Sequence, residues 1–305
     1  MFYGPYDKFD IAVPAWVIAM FVRADRLLLG SVPESYPQHA ISFGWDEYTP
    51  HLDVFDVRTG KMTEIDLEEI DWHISEERRC VGRYGSDDYL PCPSKRKVDR
   101  FDQCSGCASI WIGHQECIFE PRCNGTQCDS EICRRKHVVY VAFHGDLIKI
   151  GMTSGSRLKE RGIEQGADAI APIVDCGNRL EAREAENQIS HLLKARQTVS
   201  KKESLRTILR ATDRGLYESR YEDVLAQVSK ILPVKNATLD VLDRYPVTFG
   251  GHGHVEVTTL EGRHVGEVIA IKGKFLVYKS KANKEIKALQ LSNLPSHFIR
   301  TNSTK

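Results

Sequence analysis

Eight of the nine cysteines in this 305-residue chain fall within one stretch: Cys80, Cys92, Cys104, Cys107, Cys117, Cys123, Cys128 and Cys133, with Cys176 apart. Thiolates hold zinc at about 2.3 Å in tetrahedral sites. Cys104-Ser-Gly-Cys107 is a CxxC knuckle, whose short loop lets two sulfurs reach one ion. Between Cys80 and Cys133 apolar residues are sparse, while Pro, Gly, Asp and Arg are common. A segment with so little core material needs a staple, and metal binding supplies one. A disulfide framework would require an oxidising compartment, and no secretion signal is visible in the sequence. Chain order suggests two structural zinc sites: Cys80, Cys92, Cys104 and Cys107, then Cys117, Cys123, Cys128 and Cys133. Interleaved pairing, or His114 or His137 in place of a sulfur, satisfies the same chemistry. Four protein ligands leave no vacant position, so zinc held this way is structural and not catalytic.

The elements around these ligands divide the chain into four parts. Residues 1–79 read as a β-rich domain, with strands at Ile11–Arg23 and Leu27–Gly30 and a hairpin of Leu52–Val57 and Met62–Leu67 around Arg58-Thr-Gly-Lys61. Residues 80–137 are the cysteine-rich module. Residues 138–235 open with strands Val138–Phe143 and Leu147–Met152 around a tight His144-Gly-Asp146 turn. A helix capped by Ser154 or Ser156 then runs to Gln165, where Gly166 stops it, and Ala169–Val174 forms a third strand. Ala182, Ile189 and Leu193 recur at helical spacing and predict a helix over residues 179–197, followed by helices over 201–212 and 219–232. Residues 246–300 are β-rich again, with strands at His254–Thr259, Val265–Ile271 and Phe275–Tyr278 and a turn at Gly273.

The strand, turn, strand, helix, strand, helix order over residues 138–197 resembles the GIY-YIG nuclease superfamily. Val139-Tyr-Val141 stands for the first signature strand and Lys149-Ile-Gly151 for the second. Leu158-Lys-Glu-Arg161 matches the helix that carries a functional arginine, and Glu186 lies where the superfamily places an acidic metal ligand. A second likeness spans most of the chain. The cysteines preceding the β hairpin, Gly162-Ile-Glu-Gln-Gly-Ala167 and Ala270-Ile-Lys-Gly-Lys-Phe-Leu-Val277 resemble a bacterial and archaeal family of unknown function, with a cysteine-rich module fused to a GIY-YIG-like domain. The expected fold class is therefore α+β: a three-stranded antiparallel sheet flanked by helices, preceded by the zinc module and bounded by β-rich ends.

The nuclease resemblance implies Tyr140, Lys149, Arg161 and Glu186 as catalytic residues. A phenol is a poor base at neutral pH, but an ammonium nearby favours the phenolate. This makes Tyr140 the base and Lys149 its activator. Arg161 would clamp the phosphate with its planar fork, and Glu186 would hold one Mg²⁺. Glu186 also falls on or beside the apolar stripe of its helix, where an unpaired carboxylate is costly; Arg161, Tyr140 or a metal is its expected partner. Two departures point to a fold that has lost its chemistry. Gln165 stands where the superfamily often has a His or Tyr, and an amide exchanges no proton at neutral pH. Gly162 replaces an apolar anchor.

Charge and length bound the partners. Lys+Arg and Asp+Glu balance at 42 each, which argues against a wholly basic nucleic-acid binder. The zero is a sum of opposed patches: 11 acids against two bases over residues 45–77, seven bases against two acids over 133–161, and six lysines against one glutamate over 272–287. A basic patch suits a phosphate face. The longest apolar run, Ile11–Val22, has 12 residues and contains Pro14, too short to span a bilayer. The expectation is a cytoplasmic protein that cuts DNA or RNA or, alternatively, an inactive nucleic-acid-binding or regulatory protein. The acidic stretch would then dock a basic partner or cover the chain's own basic face.

Overall fold

The computed structural model describes residues 36–84, 88–108, 117, 120–127, 130–210, 212–235, 237–248 and 255–302. The strands expected at Ile11–Arg23 and Leu27–Gly30, together with His114 and Cys128, lie outside the described residues. The chain divides into two units after Tyr36, and every described strand and helix belongs to the second, Pro37–Lys305.

Four strands come first: β1 (Gln38–Asp46), β2 (Thr49–Asp56), β3 (Lys61–Glu64) and β4 (Glu69–Arg78). The cysteine-rich stretch contributes only the two-residue strands β5 (Arg83–Tyr84) and β6 (Tyr89–Leu90) and the single helical turn α1 (Glu131–Arg134) among its described residues. Next in the chain are β7 (His137–His144), β8 (Leu147–Ser154), α2 (Leu158–Gln165), β9 (Ala169–Cys176), α3 (Arg179–Leu192), α4 (Lys201–Thr207) and α5 (Arg214–Val228). The last strands are β10 (Asp240–Val241), β11 (Glu256–Val257), β12 (Gly262–Lys272), β13 (Phe275–Ser280), β14 (Ile286–Gln290) and β15 (His297–Thr301). No described helix is long and apolar enough to cross a membrane.

Two sheets organise these elements. The larger has nine strands in the order β11-β14-β13-β12-β4-β15-β1-β2-β3. The β-rich segments expected at the two ends of the chain therefore share one sheet. Central strand β4 pairs with β12 on one side and β15 on the other, both antiparallel. Its core side gathers Leu52, Val54, Trp72, Ile74, Leu276 and Ile299.

The smaller sheet has four strands in the order β10-β9-β7-β8: β7 pairs antiparallel with β8 and β9, and the two-residue β10 joins at β9. Strand β7 (HVVYVAFH) is buried along its whole length, as its β-branched and aromatic residues suit. Alternation divides it between two cores. Val139, Val141 and Phe143 pack with Ala182, Ala185 and Ile189 of α3 and with Tyr217 and Val224 of α5. Tyr140 and Ala142 pack with Ile163 of α2, Ile170 and Tyr245.

Helix α2 stops at Gly166 in the left-handed conformation, φ 70°. A side chain at Gly166 would press on Gly273 at 3.1 Å, and one at Gly273 would meet Gly166 N at 2.6 Å. Two glycines thus let the end of α2 touch the β12–β13 turn, which joins the sheets. Helix α3 ends at Leu192, short of the expected 197, because the chain turns there to lay Arg196 along the outer edge of β8. Helix α5 begins earlier than expected, since the Asp213 side chain caps it by accepting from Leu216 N at 3.1 Å.

Buried polar groups reinforce the junction. Asp168, 3 % exposed, receives Lys272 Nζ on one oxygen; on the other it receives the Gly145 N–H at 2.6 Å and the Tyr217 hydroxyl at 3.1 Å. It thereby ties the β7–β8 turn, α5 and the end of β12 together.

Candidate metal centre and candidate active site

Cys80, Cys92, Cys104 and Cys107 lie with all four Sγ atoms within 4.8 Å of one another. A tetrahedron with 2.3 Å arms separates its sulfurs by about 3.8 Å, and Cys92 Sγ is 3.9 Å from Cys104 Sγ. Cys80 Sγ accepts backbone N–H bonds from Gly82 at 3.4 Å and Cys104 at 3.2 Å, the support a thiolate needs. Burial opposes ionisation of Cys92, but the Ser94 hydroxyl and the backbone N–H groups of Arg96 and Ser94 outweigh it and hold the thiol down at about 6. These four cysteines could hold a metal ion such as zinc, with the ligand set expected for the first site.

The second expected set is not gathered among the described residues. Cys117 and Cys133 are buried, and Cys123 is half-buried, but they do not converge as the first four do. Arg179 of α3 enters instead: its Nη1 donates to Cys117 O at 2.6 Å and approaches Cys133 Sγ at 3.8 Å. Cys176 is buried at the end of β9, and burial pushes its thiol up to about 11.

The residues singled out in the α/β unit do come together. Tyr140 pairs across the hairpin with Gly151 and Ala142 with Lys149, so Tyr140 and Lys149 share a face. Gly151 is required there: a side chain on it would meet the Tyr140 hydroxyl at 2.5 Å. Gln165, at the end of α2, joins them. Its Nε2 donates to the Tyr140 hydroxyl at 3.0 Å, and its Oε1 accepts from Lys149 Nζ at 2.7 Å.

Arg161, one turn earlier and exposed, pairs with Glu164 at 3.0 Å. Both Arg161 and Glu186 act electrostatically on Tyr140 and Lys149. Burial raises the Tyr140 pKa, with Gln165 and Arg161 pulling the other way and Glu186 adding to the rise. Burial, then Arg161 and Lys274, lower the Lys149 ammonium to about 8 against the pull of Glu186.

Glu186 is 5 % exposed, as its place on the stripe requires. Its side-chain partner is neither Arg161 nor Tyr140. Arg183 Nη1 donates to Glu186 Oε2 at 2.8 Å, while Arg183 Nη2 reaches Glu120 at 2.7 Å. The i,i+3 spacing of Arg183 and Glu186 on one helix was the available signal. The sequence pattern also marked Gln165 as a loss, whereas its amide is the hub of the cluster.

No curated protein and no solved structure matches the chain. A family described as a protein of unknown function, DUF2797, matches residues 67–291, from β4 through the cysteines and the candidate site to β14. This match covers most of the chain, which therefore belongs to the DUF2797 family.

Proposed function

We propose that the Tyr140 cluster acts on phosphodiesters of DNA or RNA as a metal-dependent endonuclease of the GIY-YIG type. The observation that carries this reading is the meeting of Tyr140 and Lys149 on one Gln165 amide, with Arg161 and Glu186 within electrostatic reach of both. Tyr140 and Glu186 are buried and Arg161 is exposed, so an incoming phosphate would meet the guanidinium first. A planar fork clamps phosphate oxygens in pairs.

Gln165 orients the phenol and the ammonium toward one another through its two ends. Lys149, charged below about pH 8, stabilises negative charge developing on the Tyr140 oxygen as that phenol takes part in proton transfer. Glu186 would hold the divalent ion that the resemblance implies. One of its oxygens is occupied by Arg183, and the other carries no hydrogen bond among the described residues. That suits Mg²⁺, which takes one or two carboxylates and keeps water and substrate phosphate as its remaining ligands. When bound, such an ion supplies charge stabilisation at the phosphate.

The four-cysteine group then acts as a structural zinc site. The basic run Arg134-Arg-Lys-His137 grips the backbone beside the site, a contact that weakens steeply with salt. A second reading, a nucleic-acid-binding or regulatory protein without catalysis, is favoured by one observation: Arg183 already neutralises Glu186. Incubation of the purified protein with Mg²⁺ or Mn²⁺ and single- and double-stranded DNA and RNA tests both. Scission that disappears in Arg161→Ala and Glu186→Ala supports the nuclease. Salt-sensitive binding without scission in either metal supports the second reading.

A further inference from the structure

Where the two sheets meet, a cavity of about 150 Å³ opens between elements far apart in sequence. It is lined by His144 and Lys149 of the β7–β8 hairpin, Gln165 of α2, Lys201 of α4, and Lys272 and Lys274 of the β12–β13 turn. No carboxylate lines it. Asp168 balances Lys272 from behind, but Lys149, Lys201 and Lys274 have no ion pair among the described residues. Three ammonium groups around one concavity repel each other unless an anion enters.

His144 gives an independent indication. It is 1 % exposed, and neither ring nitrogen has a well-formed hydrogen bond among the described residues, the Gly166 backbone acting on it only weakly. A buried imidazole so poorly satisfied costs free energy that a ligand would restore. Burial keeps it neutral, with a pKa brought down to about 4, so one of its nitrogens carries a hydrogen to donate.

We propose that this cavity binds a phosphate group, with Lys149, Lys201 and Lys274 supplying the charge and His144 and Gln165 the directed hydrogen bonds. A phosphate monoester carries about −1.5 to −2 charges at neutral pH, which answers three ammonium groups better than a carboxylate does. The group arrives either on a small phosphate compound or at the end of a nucleic-acid strand. The cavity shares Lys149 and Gln165 with the Tyr140 cluster, yet phosphate binding does not require cleavage.

The test is therefore binding without added divalent metal. Calorimetry measures inorganic phosphate, adenosine 5′-monophosphate and, as a control, acetate. Fluorescence anisotropy compares a 5′-phosphorylated oligonucleotide with its 5′-hydroxyl twin. Binding of the small phosphates identifies a free ligand; preference for the phosphorylated strand alone identifies a strand end. In either case the double variant Lys201→Ala/Lys274→Ala weakens the phosphate-dependent affinity at least tenfold. Both lysines are exposed, and an unchanged Tm verifies the fold of the variant. Absence of phosphate dependence in every arm, acetate binding as tight as phosphate, or full affinity in the double variant would overturn the proposal. Cleavage that survives such a result leaves the nuclease reading standing.

Discussion

The two halves of the cysteine-rich stretch carry four cysteines each, and among the described residues, which leave out Cys128, their surroundings differ. The first half rests on the large sheet: Arg78 of β4 donates its Nη2 to Asp102 at 2.8 Å and accepts the Val98 N–H on its carbonyl at 3.2 Å, and Ser296 Oγ donates to Asp102 at 2.9 Å. Its four sulfurs gather around one point. The second half leans on α3, which packs on the smaller sheet, where Arg179 reaches Cys117 and Cys133 and Arg183 links Glu120 to Glu186. Residue type and count are equal. Backbone N–H groups reach sulfurs in both, Gly82 and Cys104 donating to Cys80 and Gly125 to Cys123 at 3.4 Å; what differs among the described residues is that a guanidinium approaches Cys133 in the second. Among the described residues, which do not include Cys128, the first set alone brings its sulfurs within reach of one ion.

The largest effect that sharpens this contrast is loss of metal. Cys104→Ser removes one ligand of the gathered set, and structural zinc contributes about 10–16 kcal/mol of binding free energy in small zinc modules. Elemental analysis should then find one metal equivalent fewer per chain and a lower Tm. Cys133→Ser should leave that equivalent in place. Equal metal loss in both variants would abolish the distinction between the halves.

Next in size is the joint between the sheets on which the halves rest. Asp168→Ala strands the buried Lys272 charge, a change that typically costs about 3–5 kcal/mol. Denaturant unfolding should record it, with a smaller loss when Lys272→Met accompanies it. A change below about 1 kcal/mol, far under the cost of a stranded buried charge, would mean that the junction is not held there.

The smallest effect comes from acid. His39 of the large sheet and His144 of the smaller are each held at about 4 by burial. A folded pKa below the unfolded value of about 6.5 means that the unfolded chain binds the extra proton first. Stability therefore falls as pH drops from about 6.5 through 4, by about 3 kcal/mol for each histidine. His39→Phe, whose ring can keep the stack on Phe298, should remove one share of this dependence. An unaltered pH profile would show that His39 titrates normally.

What the sequence revealed tracks contact distance along the chain. The β7–β8 hairpin, the Gly166 stop of α2, the β9 strand and the shared face of Tyr140 and Lys149 all rest on neighbours within a few tens of residues, which alternation and turn residues encode. Central strand β4 gave no such sign, because its partners β12 and β15 come from the far end of the chain. A strand pattern says which face is buried and nothing about which strand lies alongside. The phosphate cavity was hidden for the same reason: its lysines come from β8, α4 and the β12–β13 turn. Glu186 was placed correctly on its stripe, but its partner was sought across the fold when Arg183 stood one turn away.

The most direct test of the central claim is a single-turnover cleavage assay of the wild-type chain and Glu186→Gln at saturating Mg²⁺, with nucleic-acid affinity measured alongside. The amide keeps the shape of the side chain and removes its charge. If Glu186 holds the ion, Glu186→Gln cleaves at least a hundredfold more slowly with affinity unchanged. Equal cleavage rates in the two proteins would contradict it.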